Sequence, residues 1–233
     1  MTAQANLESR QARLEHQWPT PLTARELDAQ FPGIFDGAML LAGGANIILQ
    51  LALPGVGYGV AESRVESGSI LHHPIKRSRT TFTYLAVAMM GTSEEKLAYR
   101  RAVNRSHAQV HSTEHSPVKY NAFDENLQMW VAACLYWGFV DTHQKLHGPM
   151  SQQEKETFYQ LAHPLGTTLQ VRQDTWPKDL QAFDAYWQEG LQQLHIDDRI
   201  RRYLMMIADL EFLSRPTRFL LGRFNRFVTT GFL

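Results

Sequence analysis

Residues 37–61 read GAMLLAGGANIILQLALPGVGYGVA, twenty-five positions without a charge. That length approaches the roughly 20 residues of a membrane span. Asn46 and Gln50 interrupt the run, Pro54 breaks it, and glycines recur throughout. The expectation is therefore a buried helix followed by a glycine-rich turn, with no stable membrane span. A chain that hides such a segment must surround it with other apolar faces, and 233 residues, 44% of them hydrophobic, are enough to do so. Small side chains here would also let something large and flat approach the backbone closely.

Helix signals dominate the remainder. Thr23 with Glu26, Thr92 with Glu95 and Ser151 with Glu154 have the reciprocal spacing of a capping box. Pro177 precedes KDLQAFDAYWQEGLQQL in the manner of a first-turn proline. The pattern predicts helices over 23–31, 36–53, 77–90, 93–112, 123–146, 151–165, 176–193, 197–213 and 216–229. Strict alternation and Asn-Gly hairpins are missing, and no Pro-, Gly- or Ser-rich linker divides the chain. The fold class is all-α: one globular domain over residues 1–233, of about eight to nine helices, packed in globin-like style, with residues 1–22 as a loosely packed N-terminal segment.

Charge narrows the function classes. Lys+Arg and Asp+Glu are balanced at 23 each, so no polyanion-binding field is expected and nucleic acid is not an expected partner. The N-terminal residues are polar and charged, without the apolar core of a signal peptide, which predicts a cytoplasmic protein, with peripheral membrane association still open. Cys134, the single cysteine, sits in VAACLYWG and reads as an inert core thiol, and no disulfide or thiolate cluster is available. Trp130 and Trp137 lie in the same apolar run and read as core, with pocket lining as the other option. No phosphate loop or nucleophile elbow is present.

Three groups of residues could carry chemistry. In RRAVNRSHAQVHS, helical spacing puts Val103, His107 and Val110 on one stripe, so His107 faces inward. An inward histidine among valines is either a core residue with one hydrogen bond or a ligand. His111, one turn further on, would make an i,i+4 metal pair with it, but neither His-Glu-x-x-His nor Glu-x-x-His occurs to complete a zinc or di-iron site. In IKRSRTTFTYLAVAMMG, Arg77 and Thr81 stand one turn apart above Leu85 and Ala88. They read either as a basic helix start or as an arginine and hydroxyl able to hold a carboxylate or polarise bound oxygen. Glu62 is the first carboxylate after the uncharged run. It is either a solvated helix-end residue or one at the rim of an apolar pocket, where its pKa would rise.

In order, GVAES, HHPIKRSRTTFTYLAVAMMGTSEE, VNRSHAQVHS, YNAFDENLQMWVAACLYWG and HGPMSQQEKETFYQ resemble the oxygenase family of fungal MpaB and the bacterial latex clearing proteins, or rubber oxygenases. The resemblance spans roughly residues 35–190. Its most specific parts are Arg77-x-x-x-Thr81, His107-x-x-Val110 and the Asp124-x-x-Leu127-x-x-Trp130-Val131 run. It implies an all-α protein that binds haem b, with His107 as axial iron ligand, Val103 and Val110 beside it, and Arg77 and Thr81 on the opposite, oxygen-binding side. A glutamate proposed as base in the rubber oxygenases falls on Glu62. The implied reaction is O2-dependent cleavage of an isoprenoid carbon–carbon double bond, supported by an electron donor. There are departures: Ala132 stands where many relatives have histidine, and Thr80 where one rubber oxygenase has a distal lysine. The expected substrate is a small, apolar, unsaturated terpenoid or lipid rather than a polymer, with Gly43 and Gly44 in the pocket wall.

Overall fold

The computed structural model describes residues 18–34 and 36–232. The uncharged run does not form one helix. A 3-10 turn, Gly37–Ala42, leads into α2 (Gly43–Leu51) and then α3 (Pro54–Ala61), the two α-helices being bent by 107° at the break. Pro54 starts the second segment, and the glycine-rich part expected as a turn is helical. Among the described residues no single helix is long and apolar enough to cross a membrane. The polar interruptions serve the fold. Asn46 Nδ2 donates to the Cys134 carbonyl at 2.7 Å, and Gln50 Nε2 donates to Asn46 Oδ1 at 2.6 Å.

Around this pair the chain forms α1 (Ala24–Gln30), α4 (Pro74–Met90), α5 (Ser93–His107), α6 (Glu125–His147), α7 (Gln152–Ala162), the single turn α8 (Pro164–Thr167), α9 (Leu180–Gln192), α10 (Asp198–Ala208) and α11 (Arg215–Gly231). All three capping boxes close as the sequence predicts, at the starts of α1, α5 and α7. Several boundaries differ, two of them in the C-terminal half. α9 begins at Leu180 under the Asp179 cap, so Pro177 lies outside it, and α10 ends at Ala208, just before Leu210 at φ 55°. No β-strand occurs among the described residues, although His111 and Asn121 make one isolated antiparallel bridge.

α6 is the central helix. Asp124 caps it by accepting from the amides of Asn126 and Leu127. Residues on every side of it are buried, Met129, Trp130, Ala133, Cys134, Tyr136 and Phe139 among them, which is how a helix enclosed by others reads. Trp187 on α9 stacks against both Trp130 (5.1 Å) and Trp137 (5.3 Å). Both tryptophans therefore act as core, and burial pushes the Cys134 thiol well above its ordinary pKa. Gly190 lets α9 come this close, since a Cβ there would meet the Trp130 ring at 2.5 Å. Leu51, Tyr58, Tyr120, Ile200 and Leu204 form a second buried cluster.

The expected loose N-terminal segment is corrected where it is described. Trp18 is buried, its indole donating to Thr167 Oγ1 at 3.0 Å, and Leu22 packs on the core. Residues 1–17 of that expectation lie outside the described residues.

Candidate functional site

α4 and α5 form a helical hairpin turned at Gly91–Thr92. The Tyr99 hydroxyl on α5 donates to the Thr80 carbonyl on α4 at 2.6 Å and fixes their register. On α4, Arg77, Thr81, Tyr84 and Ala88 share one face. Ala88 is fully buried and Tyr84 donates to the Leu165 carbonyl at 2.5 Å, so this face turns inward. Arg77 nonetheless keeps much of its side chain accessible, while the protein around its guanidinium depresses its pKa. Tyr99 and Tyr203 (from α10) are near enough to act on its charge. The Thr81 hydroxyl donates to the Arg77 carbonyl at 3.1 Å.

His107 is the last residue of α5 and is half-buried. Its Nδ1 is buried and has no hydrogen-bond partner among the described residues. Burial, and after it the positive charge of Arg77, push its pKa down to about 4, so the ring is neutral at physiological pH. Phe123, in the loop before α6, meets it edge-on at 6.2 Å. The charge of Arg77, on α4, thus reaches His107 at the end of α5, while Thr81 is linked to Arg77 within α4. Val103 stays on the His107 side of α5, one turn earlier.

Other sequence expectations are corrected. The helix stops at His107 rather than running to 112, so His111 is not one turn above it. His111 sits in the bridge with Asn121, and the i,i+4 metal pair does not form. Among the described residues no group of three or more His, Cys, Asp or Glu side chains could hold a metal ion. Val110 also leaves the helical stripe. It packs on the cluster of Tyr58 and Tyr120 and lines a cavity of about 240 Å³ together with Glu62, Gln109, His111 and Arg199.

Glu62, at the end of α3, is neither solvated nor a base with a raised pKa. Burial acts to raise it, but donation from Ser116 (2.7 Å), Tyr120 (2.9 Å) and Arg199 (2.7 Å) outweighs burial, and the net shift is downward. Nearby, Tyr58 donates to Asp197 at 2.5 Å. Of the expected pocket-wall glycines, Gly44 packs against α11, where a Cβ would meet Thr229 at 2.5 Å, while Gly43 faces open space. Ala132 is buried where α8 crosses, 3.3 Å from where a Cβ on Gly166 would lie.

Sequence reasoning missed Tyr99, Tyr203 and Phe123 around Arg77 and His107, and Ser116, Tyr120 and Arg199 around Glu62. Phe123 could have been suspected from its place just before the Asp124 cap. Arg199 lies 137 residues from Glu62, and nothing local marks it.

The family model for the ER-bound oxygenase mpaB/B'/rubber oxygenase catalytic domain matches residues 34–233. An uncharacterized protein of Mycobacterium bovis and one of Mycobacterium tuberculosis are each 54% identical to this chain over 194 residues, covering 83% of the chain and 76% of the relative. No solved structure matches, so the globin-like packing expected from sequence has no structural counterpart to support it. With the helical fold and the Arg77, Thr81 and His107 motifs in place, the match over residues 34–233 puts this chain in the MpaB and rubber oxygenase family, over its catalytic domain.

Proposed function

We propose that this chain is a haem b-dependent oxygenase that uses O2 on a carbon–carbon double bond of a small, apolar, unsaturated terpenoid or lipid. The observation that carries the reading is His107. A half-buried imidazole, held neutral by burial and by Arg77, keeps a lone pair available to a metal, which a protonated ring lacks. Its unpartnered Nδ1 is a buried donor or acceptor awaiting a partner. The donor set fits haem better than a bare ion: one histidine suffices for haem iron, whereas zinc or di-iron needs a cluster not found among the described residues.

When bound, the haem supplies O2 binding and the redox chemistry, with an external electron donor where reduction is needed. The protein's own part is positional. His107 would ligate from the end of α5, and the Tyr99–Thr80 hydrogen bond ties α5 to the helix that carries Arg77. Arg77, whose charge the surrounding protein desolvates, would offer its planar set of donors to an anionic oxygen or to a carboxylate. Thr81 supplies a hydroxyl one turn away. Glu62, held ionised by three donors, anchors α3 to α10 instead of removing a proton.

The test is the absorption spectrum of protein reconstituted with haem b, followed by O2 uptake. A ligated Soret band at about one haem per chain is expected, lost in His107→Ala and kept in His111→Ala. The opposite pattern overturns the ligand assignment. Oxygen consumption with isoprenoid alcohols or unsaturated fatty acids, and little with polyisoprene emulsion, is the expected substrate profile. A haem-loaded protein silent across that panel would instead be a haem-binding sensor, and one that takes no haem a lipid-binding helical module.

A further inference from the structure

α11 is built the wrong way round for a core helix. The residues it turns toward the body of the protein are mostly polar or small: Arg218, Gly222, Asn225 and Thr229, with Val228 the one larger aliphatic among them. Asn225 Nδ2 donates to the Ala208 carbonyl at 2.9 Å, and Thr229 is buried against Gly44 of α2. Arg218 is tied to Glu211 at 2.9 Å and Arg226 to Asp209. These contacts hold the helix in a fixed rotation. Its outer face then carries Phe219, Leu220 and Phe227 at 86%, 75% and 76% exposure, with Phe224 also exposed. At 100° per residue these four fall within one arc, since Phe219, Leu220, Phe224 and Phe227 follow i, i+1, i+5, i+8. Phenylalanines are seldom left in water in this number on one helix face without a partner.

The charge says what the partner is. Arg215, Arg223 and Arg226 border or enter one edge of the apolar arc, and α11 contains four arginines and no acidic residue. Residues 199–232 hold seven arginines against Asp209 and Glu211, although the chain as a whole is balanced at 23 and 23. Arg215 and Arg223 have no acidic partner among the described residues. An apolar stripe edged by arginine is the pattern of a helix lying in a membrane interface, rings among the acyl chains and guanidinium groups beside anionic headgroups. At 17 residues with four arginines, α11 is too short and too charged to cross a bilayer.

We propose that α11 docks the protein on an anionic lipid surface, with Phe219, Leu220, Phe224 and Phe227 inserted and Arg223 at the headgroups. The inference does not rest on haem binding. If the oxygenase reading also holds, docking lets an apolar substrate be taken from the bilayer.

The experiment uses the full chain and vesicles of phosphatidylcholine, alone or with a phosphatidylglycerol fraction, read by co-sedimentation. Wild type binds the phosphatidylglycerol vesicles more tightly, and added salt weakens binding as screening requires. Phe219→Ser with Phe227→Ser lowers vesicle affinity by about tenfold per ring. Arg223→Glu, which reverses one charge, lowers it on the order of 20-fold on anionic vesicles and little on neutral ones. These side chains are exposed, so near-ultraviolet circular dichroism and Tm stay as in wild type. Three results overturn the proposal: no binding to either vesicle, binding unchanged in the variants, or a concentration-dependent dimer that the double variant dissolves, which assigns the face to a second copy.

Discussion

Arg199 Nη1 on α10 lies 2.7 Å from Glu62 Oε1 at the end of α3, joining positions 137 residues apart. Ser116 and Tyr120 donate to the other oxygen, so the carboxylate has three donors and a pKa below its ordinary value.

The sign of the pH dependence follows. A carboxyl whose folded pKa lies below its unfolded value stabilises the fold in full above the unfolded pKa of about 4.3, and that contribution is lost as pH falls through the folded value. Arg199→Ala should cost about 1 kcal/mol at neutral pH, since the arginine is half-exposed. The gap between wild type and variant should narrow as the pH falls below that unfolded value and through the lower folded one. Urea midpoints at neutral and acid pH measure this, and an equal gap at both would refute the pairing as its source.

For the oxygenase reading, Arg77→Ala should keep haem yet slow O2-dependent turnover on the order of 10²-fold, the cost of removing one donor from developing charge, and Thr81→Val, whose hydroxyl proton goes to the Arg77 carbonyl, should slow it less. Thr81→Ser should retain more activity than Thr81→Val, because the hydroxyl stays on its helix. Pyridine haemochrome content measured beside O2 uptake separates the effects. Loss of haem in Arg77→Ala would reassign Arg77 as a carboxylate anchor.

Gly190→Ala should destabilise by about 1–3 kcal/mol, because the new methyl meets the Trp130 ring at 2.5 Å and must disturb its stack on Trp187. Gly43→Ala, facing open space, should cost nothing measurable. Thermal melts of the two variants side by side check the contrast.

Thr92→Ala removes the cap of α5, whose hydroxyl accepts from the Glu95 amide at 3.3 Å while Glu95 accepts from the Thr92 amide at 2.8 Å. A loss of about 0.5–2 kcal/mol is expected by denaturant unfolding. Since α5 ends on His107, hydrogen exchange should also quicken along that helix.

Local chemistry decided much of this protein. Hydroxyl and carboxylate three residues apart place the starts of α1, α5 and α7, because the cap bonds span one turn and need no distant partner. The 3.6-residue period turns Arg77 and Thr81 to the same side as buried Ala88. The Arg77, Thr81, His107 and Asp124 motifs also carried the family, and the match over residues 34–233 agrees. What the sequence left open depended on partners distant in the chain. Helical periodicity continues past His107, but the backbone there bonds to the Tyr120–Ala122 segment, as in the Ser112 amide to the Tyr120 carbonyl at 2.8 Å, and this ends the helix and takes His111 away from the ligand face. Glu62 looks like a pocket-rim acid until Arg199 arrives from α10, and its pKa then moves down instead of up. The glycines of the uncharged run look like room for a flat ligand, yet Gly44 makes room for Thr229 of α11. Spacing reports which side a residue faces, and only tertiary packing decides what it meets there, because hydrogen bonds, desolvation and close contact act through space without regard to chain order.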